Sequence, residues 1–230
     1  GHIPGAVFMD LSDLTDSSNP VENMLPPAEK FASRMQSLGL GDGSRVVLYD
    51  DSPLQSAARA WWMLTIFGAH EVAILDGGIA KWKAEGRPLE TGKEALRHRH
   101  FTVWKDDKDV RTKADLLANL HSKDEQVVDA RPADRFSGET PDPRGNAASG
   151  HIPGSTNIPH SSFFNADGTW KNSDEIKAIF TDAGVDLSKP LITTCGSGMT
   201  AAVVSFAAAV AGAEKTALYD GSWAEWGADA

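Results

Sequence analysis

The sequence has one cysteine in 230 residues, so it cannot form an internal disulfide. Basic residues are also few: 22 Lys and Arg stand against 32 Asp and Glu, which gives a formal net charge of −10. This balance argues against sequence-independent binding of nucleic acid, which requires Lys and Arg to neutralise phosphates. No uninterrupted apolar run approaches about 18 residues, so the sequence predicts no membrane span.

The sequence does contain an internal repeat, on an ordinary globular composition of 41% hydrophobic and 23% charged residues. Residues 1–6 (Gly-His-Ile-Pro-Gly-Ala) recur as residues 150–155 (Gly-His-Ile-Pro-Gly-Ser). A Gly-Ala pair and an Asp-Gly segment within residues 68–82 recur in the same order within residues 212–226. Two matches in one order indicate two homologous halves rather than a chance hexapeptide.

The repeat predicts two domains, residues 1–86 and 110–230, joined by a charged, histidine-rich linker at residues 87–109. In the second half an apolar run at residues 126–131 precedes the repeated hexapeptide, and the first half has no counterpart of it. We therefore expect the natural chain to continue upstream with the missing first strand. Any targeting segment would lie there, and we expect a cytoplasmic protein.

The hydrophobic pattern alternates strands with helices along the whole sequence. Predicted strands cover residues 45–49, 71–75, 126–130, 191–194 and 216–219. Predicted helices cover residues 27–38, 55–67, 112–121, 173–183 and 199–211. This alternation is typical of the α/β class and favours parallel sheets covered by helices on both faces.

The main chemical signal surrounds the cysteine. The predicted strand 191–194 leads directly into Cys195, Gly196 and Gly198 flank Ser197, and a helix follows. The glycines allow the backbone to curl so that several N–H groups converge on one centre. These donors, with the positive end of the following helix, would stabilise a thiolate nucleophile at neutral pH. The alternative is a buried structural cysteine at a strand end, followed by a glycine turn.

Three features of the sequence together resemble the tandem rhodanese sulfurtransferases. They are the loop at Cys195, the paired Gly-His-Ile-Pro-Gly segments and the Asp129-Ala130-Arg131 triplet. The resemblance spans essentially all of the sequence and implies two rhodanese-like domains. The loop Cys-Gly-Ser-Gly-Met-Thr is similar to that of the 3-mercaptopyruvate sulfurtransferases. Thiosulfate sulfurtransferases typically carry Arg and Lys in place of Gly196 and Ser197, which suits a dianionic substrate.

The resemblance implies a ping-pong reaction without metal or cofactor. The Cys195 thiolate attacks the terminal sulfur of 3-mercaptopyruvate, which gives a cysteine persulfide and pyruvate. A thiol such as thioredoxin, or cyanide, then removes the outer sulfur. Arg135 and Arg144 match the two arginines that bind the substrate carboxylate in the family. Both arginines could instead be solvated loop charges.

The resemblance also gives expectations for the rest of the loop. Ser197 would hydrogen-bond the substrate or assist protonation of the leaving enolate carbon. Gly196, Gly198 and Met199 would contact the substrate. Thr200 would line the same site, and its hydroxyl would cap the following helix or bond within the loop.

Many family members complete a proton relay with an Asp and a His from the first half. The matching positions here are Ser12 and Asn23, and neither side chain is an ordinary acid or base near neutral pH. These two positions therefore do not supply the relay, and Asp13 and Glu22 are the candidate substitutes. Which group protonates the enolate stays open.

The first half itself is expected to be inactive. Alignment on the repeated Gly-Ala pair places Asp51 opposite Cys195, and a carboxylate cannot carry a persulfide. We expect the first half to form one side of the active-site cleft. Arg59 would either support the site or form an interdomain salt bridge.

Three other functions compete with this reading. A thiosulfate sulfurtransferase is disfavoured by the uncharged loop, and a non-catalytic docking module requires an unreactive Cys195. A phosphatase on the same fold is rejected because Ala201 stands where an arginine would be needed.

Overall fold

The computed structural model describes residues 1–93, 95–145 and 147–229, and these contain eight α-helices and seven strands. The helices are α1 Ala28–Ser37, α2 Ala57–Ile66, α3 Gly78–Ala84, α4 Lys113–Ser122, α5 Ala133–Ser137, α6 Ser173–Asp182, α7 Ala201–Val210 and α8 Ser222–Trp226. The strands are β1 Arg45–Leu48, β2 Glu71–Ile74, β3 Val110–Arg111, β4 Gln126–Asp129, β5 Thr156–Asn157, β6 Leu191–Thr194 and β7 Thr216–Tyr219. All five predicted strands and all five predicted helices are present, with ends that differ by at most two residues.

Both sheets are parallel, as the alternation of elements predicts. The second half has five strands in the order β3-β7-β6-β4-β5, and the first half pairs β1 with β2. Because the strands are parallel, the loops after β4, β6 and β7 leave the second sheet at the same edge. That edge contains Cys195, the first residue after β6.

The second sheet buries both of its faces. Successive residues of a strand point to opposite faces. Val128 packs into a core cluster with residues of α6 and α7, whereas its neighbour Val127 packs with residues of α4 and α8. The first sheet is covered on one face only, and on its other face Val47 is 64% exposed.

The two halves share one core, because α2 and α7 pack against each other. Both helices are apolar almost all round, and the rings of Trp61 and Phe206 meet edge to face at 5.0 Å between centroids. Phe31 and Phe67 of the first half lie in the same cluster as Val203 of the second. The first half is therefore packed directly behind the helix that follows Cys195.

The helices are short, and several have clear start signals. Thr112 and Asn172 form capping boxes at the beginnings of α4 and α6. The sequence pattern misses α3, α5 and α8, since five to seven residues are too few to show helical periodicity. Among the described helices, none has the length and apolar character needed to cross a bilayer.

Candidate active site

Cys195 lies at the carboxyl end of β6 and is held there by the start of α8. Its backbone N–H donates to the Ser222 hydroxyl at 3.1 Å, and its carbonyl accepts from the Trp223 N–H at 2.9 Å. Ser222 in turn donates to the Tyr219 carbonyl at 2.9 Å. The cysteine is only 1% exposed, so its sulfur lies beneath the loop surface. Sequence reasoning missed Ser222, although the repeated Asp-Gly segment directly precedes it.

The loop between Cys195 and α7 curls at a glycine. Gly198 has φ +76°, and a Cβ added there would lie 2.8 Å from the Asp220 carbonyl oxygen, so only glycine fits. None of the amides of residues 196–200 donates a hydrogen bond to another described group. Unpaired amides at a helix N-terminus form a binding site for an anion.

Of the two positions that match the family relay, only Asn23 reaches the loop. Its side-chain amide donates to the Ser197 hydroxyl oxygen at 3.0 Å. Ser12 instead binds Asp10 through its backbone N–H and its hydroxyl, at 2.9 and 2.6 Å. Asp13, a candidate substitute, is engaged in an ion pair with an arginine of α1. The structure therefore brings together one amide and one hydroxyl, with no acid or base between them.

Arg144 lies against the loop. A Cβ added at Gly196 would sit 3.1 Å from its Nη2 atom. The Nε atom donates to Glu22, and Nη1 donates to both carboxylate oxygens of Asp142 at 3.0 Å. Burial alone would lower the pKa of the Arg144 guanidinium, but its hydrogen bonds and ion pairs with these carboxylates raise it. Nη2 has no hydrogen-bond partner among the described residues. Glu22, the second candidate to replace a relay residue, is thus held in an ion pair with Arg144.

Arg135 lies in α5, which leaves the sheet after β4 at the same edge as the cysteine loop. Its side chain is half-buried, and it forms no hydrogen bond or ion pair with a described residue. It is therefore available for a ligand, although no bond joins it to residues 195–200. Arg144 thus lies against the loop after β6, whereas Arg135 belongs to another chain segment that leaves the sheet at the same edge.

The remaining predicted residues are placed as follows. Met199 is half-buried on the loop. Thr200 is the residue before α7 and is 8% exposed, but its side chain makes no capping hydrogen bond, contrary to expectation. Thr200 already has helical backbone angles, from which its hydroxyl does not reach the amides of the first turn.

Arg59 lies on α2 of the first half, is 2% exposed and reaches the cysteine loop from that helix. Its guanidinium donates to the Gly198 carbonyl at 3.2 Å and to the Asn23 carbonyl at 2.6 Å. It also pairs with Asp220 at 2.8 Å and lies over the Trp62 ring at 4.6 Å. Arg59 therefore has both of the expected roles. It forms a salt bridge between the halves with Asp220, and it holds the loop at Gly198.

The first half has a counterpart of Cys195, but it is Asp50 and not Asp51. The Asp50 carbonyl accepts from the Ile79 N–H at 3.4 Å, as the Cys195 carbonyl accepts from the Trp223 N–H. The alignment missed this because the loop before α2 is longer than the loop before α7. A carboxylate still occupies the cysteine position, so the first half has no nucleophile there.

Metal-binding side chains do not accompany these groups. In residues 1–93, 95–145 and 147–229, no three His, Cys, Asp or Glu side chains lie close enough to hold a metal ion. His98 and His100 are exposed in the predicted linker. The groups that meet around the loop are a thiol, a hydroxyl, an amide, and two guanidinium groups with the carboxylates that pair with them.

Comparison with known proteins adds a family model and named relatives. The model described as rhodanese-like domain matches residues 1–85 and 112–229. The chain is 45% identical over 227 residues to a 3-mercaptopyruvate sulfurtransferase of Mus musculus, covering 98% of this chain and 76% of that protein. It is 44% identical over 230 residues to the same-named protein of Escherichia coli K12, covering 100% and 82%. A thiosulfate sulfurtransferase of Cricetulus griseus is 41% identical over 228 residues, covering 98% and 77%.

The structural comparison agrees with the sequence comparison. The crystal structure of SseA from Escherichia coli, described as a 3-mercaptopyruvate sulfotransferase, matches with a TM-score of 0.88 and 42% identity. The match covers 97% of this chain and 83% of that one. The Tum1 protein of Saccharomyces cerevisiae matches with a TM-score of 0.89 at 29% identity, covering 98% and 80%.

Proposed function

The chain belongs to the rhodanese-like domain family, and we propose that it is a sulfurtransferase that takes sulfur from 3-mercaptopyruvate and releases pyruvate. The predicted class, an α/β protein with two tandem rhodanese-like halves, is confirmed. The division into residues 1–86, 87–109 and 110–230 remains part of the proposal. So do the cytoplasmic location and the use of thioredoxin or cyanide as acceptor.

One observation carries the proposal: Cys195 stands before a loop whose amides have no acceptor in the described structure. The first helical turn of α7 adds its partial positive charge. An anion on the sulfur is stabilised by such an arrangement without any side-chain cation. The loop residues Gly196 and Ser197 are uncharged, which favours a monoanionic carboxylate substrate over the thiosulfate dianion.

In the reaction the Cys195 thiolate attacks the sulfur of the substrate, and a sulfur–sulfur bond forms. The bond between that sulfur and the CH₂ carbon breaks, and its electron pair leaves as the enolate of pyruvate. The enolate carbon then takes one proton, while the transferred sulfur stays on Cys195 as a persulfide. A nucleophilic acceptor attacks the outer sulfur and restores the thiolate.

Arg144 and Arg135 are proposed to bind the substrate carboxylate. The free Nη2 of Arg144 faces Gly196, so a carboxylate bound there would lie beside the cysteine loop. Arg144→Ala should raise the KM for mercaptopyruvate about 10- to 100-fold, since a hydrogen bond between charged groups contributes about 1.5–3 kcal/mol. Arg144→Lys, which keeps the charge without the fork, is the matched control. An unchanged KM in the Ala variant would remove Arg144 from the site.

The decisive experiment is mass spectrometry of the protein after treatment with mercaptopyruvate. Because Cys195 is the single cysteine of the sequence, the reaction must leave one added sulfur on this residue alone. Cys195→Ser is the control and should gain none. Folded wild-type protein that gains no sulfur would overturn the proposal and favour a docking role.

Two further measurements separate the alternatives. A higher kcat/KM for thiosulfate than for mercaptopyruvate would reassign the substrate. Iodoacetamide labelling at graded pH tests the docking role, since a thiol that reacts only above the ordinary cysteine range of about 8.5 is not an activated nucleophile.

A further inference from the structure

We propose that Asn23 is a positioning residue that fixes Ser197 as a hydrogen-bond donor to the substrate oxygen, in place of an acid–base relay. This inference rests on the proposed sulfurtransferase function. It concerns how the enolate is stabilised after the sulfur has left.

Asn23 is held firmly enough to orient Ser197. Its backbone has φ +61°, a left-handed conformation that Asn tolerates better than most residues. Its carbonyl accepts from Nη2 of the buried Arg59 at 2.6 Å. With the backbone held in this way, the side-chain amide is placed 3.0 Å from the Ser197 hydroxyl oxygen.

The hydrogen bond determines what Ser197 can do. Its oxygen accepts from the Asn23 amide, and its own hydrogen has no acceptor among the described residues. That hydrogen is therefore free for the carbonyl oxygen of the substrate, which becomes the enolate oxygen when the carbon–sulfur bond breaks. A fixed donor at an atom that gains negative charge stabilises the transition state.

Asn23 cannot take the serine proton, and no neighbouring carboxylate replaces it. The charged groups packed around this pair are Arg59, Arg144, Glu22 and Asp220, and all four are engaged in ion pairs. Ser197 therefore keeps its proton through the reaction. The enolate carbon takes its proton from solvent water.

A double-mutant cycle tests the proposal, with single-turnover formation of pyruvate as the readout. Ser197→Ala should slow this step about 100-fold, as loss of an oxyanion donor does. Asn23→Gly removes the side chain without straining the left-handed backbone and should slow it about 10- to 100-fold. The double variant should be no slower than Ser197→Ala. Multiplicative effects of the two changes would overturn the proposal.

Two further variants distinguish positioning from simple packing. Asn23→Asp is isosteric but offers an acceptor, so it would draw the Ser197 hydrogen away from the substrate and slow the step as much as Ser197→Ala. Asn23→His should introduce a new limb near pH 6.5 into the pH profile of the step, a limb that the wild type lacks. An Asp variant with wild-type rate, or a wild type that already shows this limb, would contradict the inference.

Ser12→Ala is the matched control, because it changes the other relay position and the Ser12 hydroxyl bonds only to Asp10. It should leave the rate unchanged. The outcomes also separate the two proposals. A wild type that forms no persulfide rejects the sulfurtransferase function, whereas a persulfide-forming enzyme with a multiplicative cycle rejects only the role of Asn23.

Discussion

The two halves of the molecule share one backbone arrangement, a loop between a strand and a helix that we call the cradle, but different side chains occupy it. Each has a strand, a loop, a helix, and an Asp-Gly segment that follows the next strand and packs over the loop. In the second half the cradle is the loop 195–200 between β6 and α7. In the first half it is the longer loop 49–56 between β1 and α2.

The first cradle is closed by its own side chain. The Asp50 carboxylate accepts from the Ala57 N–H, at the beginning of α2, at 2.6 Å, and from the Ser56 hydroxyl at 3.2 Å. In the second cradle no side chain takes the corresponding amides. The backbone arrangement of the cradle is therefore not sufficient for catalysis. It becomes catalytic only where a nucleophile replaces the carboxylate and the helix terminus is left for an external anion.

Replacing the cysteine gives the largest expected effect and tests whether the halves are interchangeable. Cys195→Ser should abolish persulfide formation and lower sulfur transfer by at least about 10⁴-fold, as loss of a catalytic nucleophile does. Adding Asp50→Cys to this variant should not restore activity, because the loop 49–56 contains no glycine and so lacks the curl that Gly198 gives the loop 195–200. Added sulfur on residue 50 would contradict this prediction and show that the two cradles are interchangeable.

The contact between the halves gives the next largest effect. Arg59→Met should destabilise the protein by about 3–5 kcal/mol, because it leaves Asp220 buried without its cation. Urea unfolding measures the loss. The double variant Arg59→Met with Asp220→Asn should recover part of it, since the uncompensated charge is then gone. A loss below about 1 kcal/mol would mean that the pair contributes to function alone.

Local pattern was sufficient for the ten-residue helices, for the four-residue strands and for the place of Cys195 at the end of a strand. Strand periodicity and the Gly-Ser-Gly loop located β6, Cys195 and the start of α7 to within two residues. Arg144 was found through resemblance, and the structure places it against Gly196. The strand, the cysteine and the helix start depend on contiguous residues, which is why one sequence reveals them.

What the sequence could not supply depends on packing between the halves. The bond from Asn23 to Ser197 joins residues 174 apart, and no local pattern encodes that distance. Asp51 was assigned where Asp50 belongs because a loop-length difference shifts the register between strand and helix. The α8 residue Ser222, which fixes the Cys195 amide, was missed because five helical residues leave no periodicity.

A smaller effect is expected from Glu22, a carboxylate of the first half that reaches into the second cradle. Glu22→Gln removes a negative charge beside Arg144, so anions should bind more tightly. The effect on KM should be about two- to fivefold, because this carboxylate is half-exposed. Thiosulfate, a dianion, should gain more than mercaptopyruvate. Equal gains, or weaker binding of both, would show that Glu22 positions Arg144 rather than competing with substrate.

The smallest effect concerns Asp50, the carboxyl group that fills the first cradle. Burial raises its pKa above the ordinary value, although the bonds from Ala57 and Ser56 oppose this shift. A carboxyl group with a raised pKa in the folded state costs stability once it ionises, so this cost develops as the pH rises from about 4. Asp50→Asn avoids the cost and keeps an acceptor for the Ala57 amide.

The stability of Asp50→Asn relative to the wild type should therefore increase between pH 4 and pH 7, by less than about 1 kcal/mol because the group is partly solvated. Urea midpoints at the two pH values measure it, and Asp51→Asn corrects for the loss of one negative charge. A relative stability that falls instead would mean that the ionised carboxylate is what stabilises the start of α2. The first cradle would then be an anion site that holds its own anion, and the two halves would differ only in where that anion comes from.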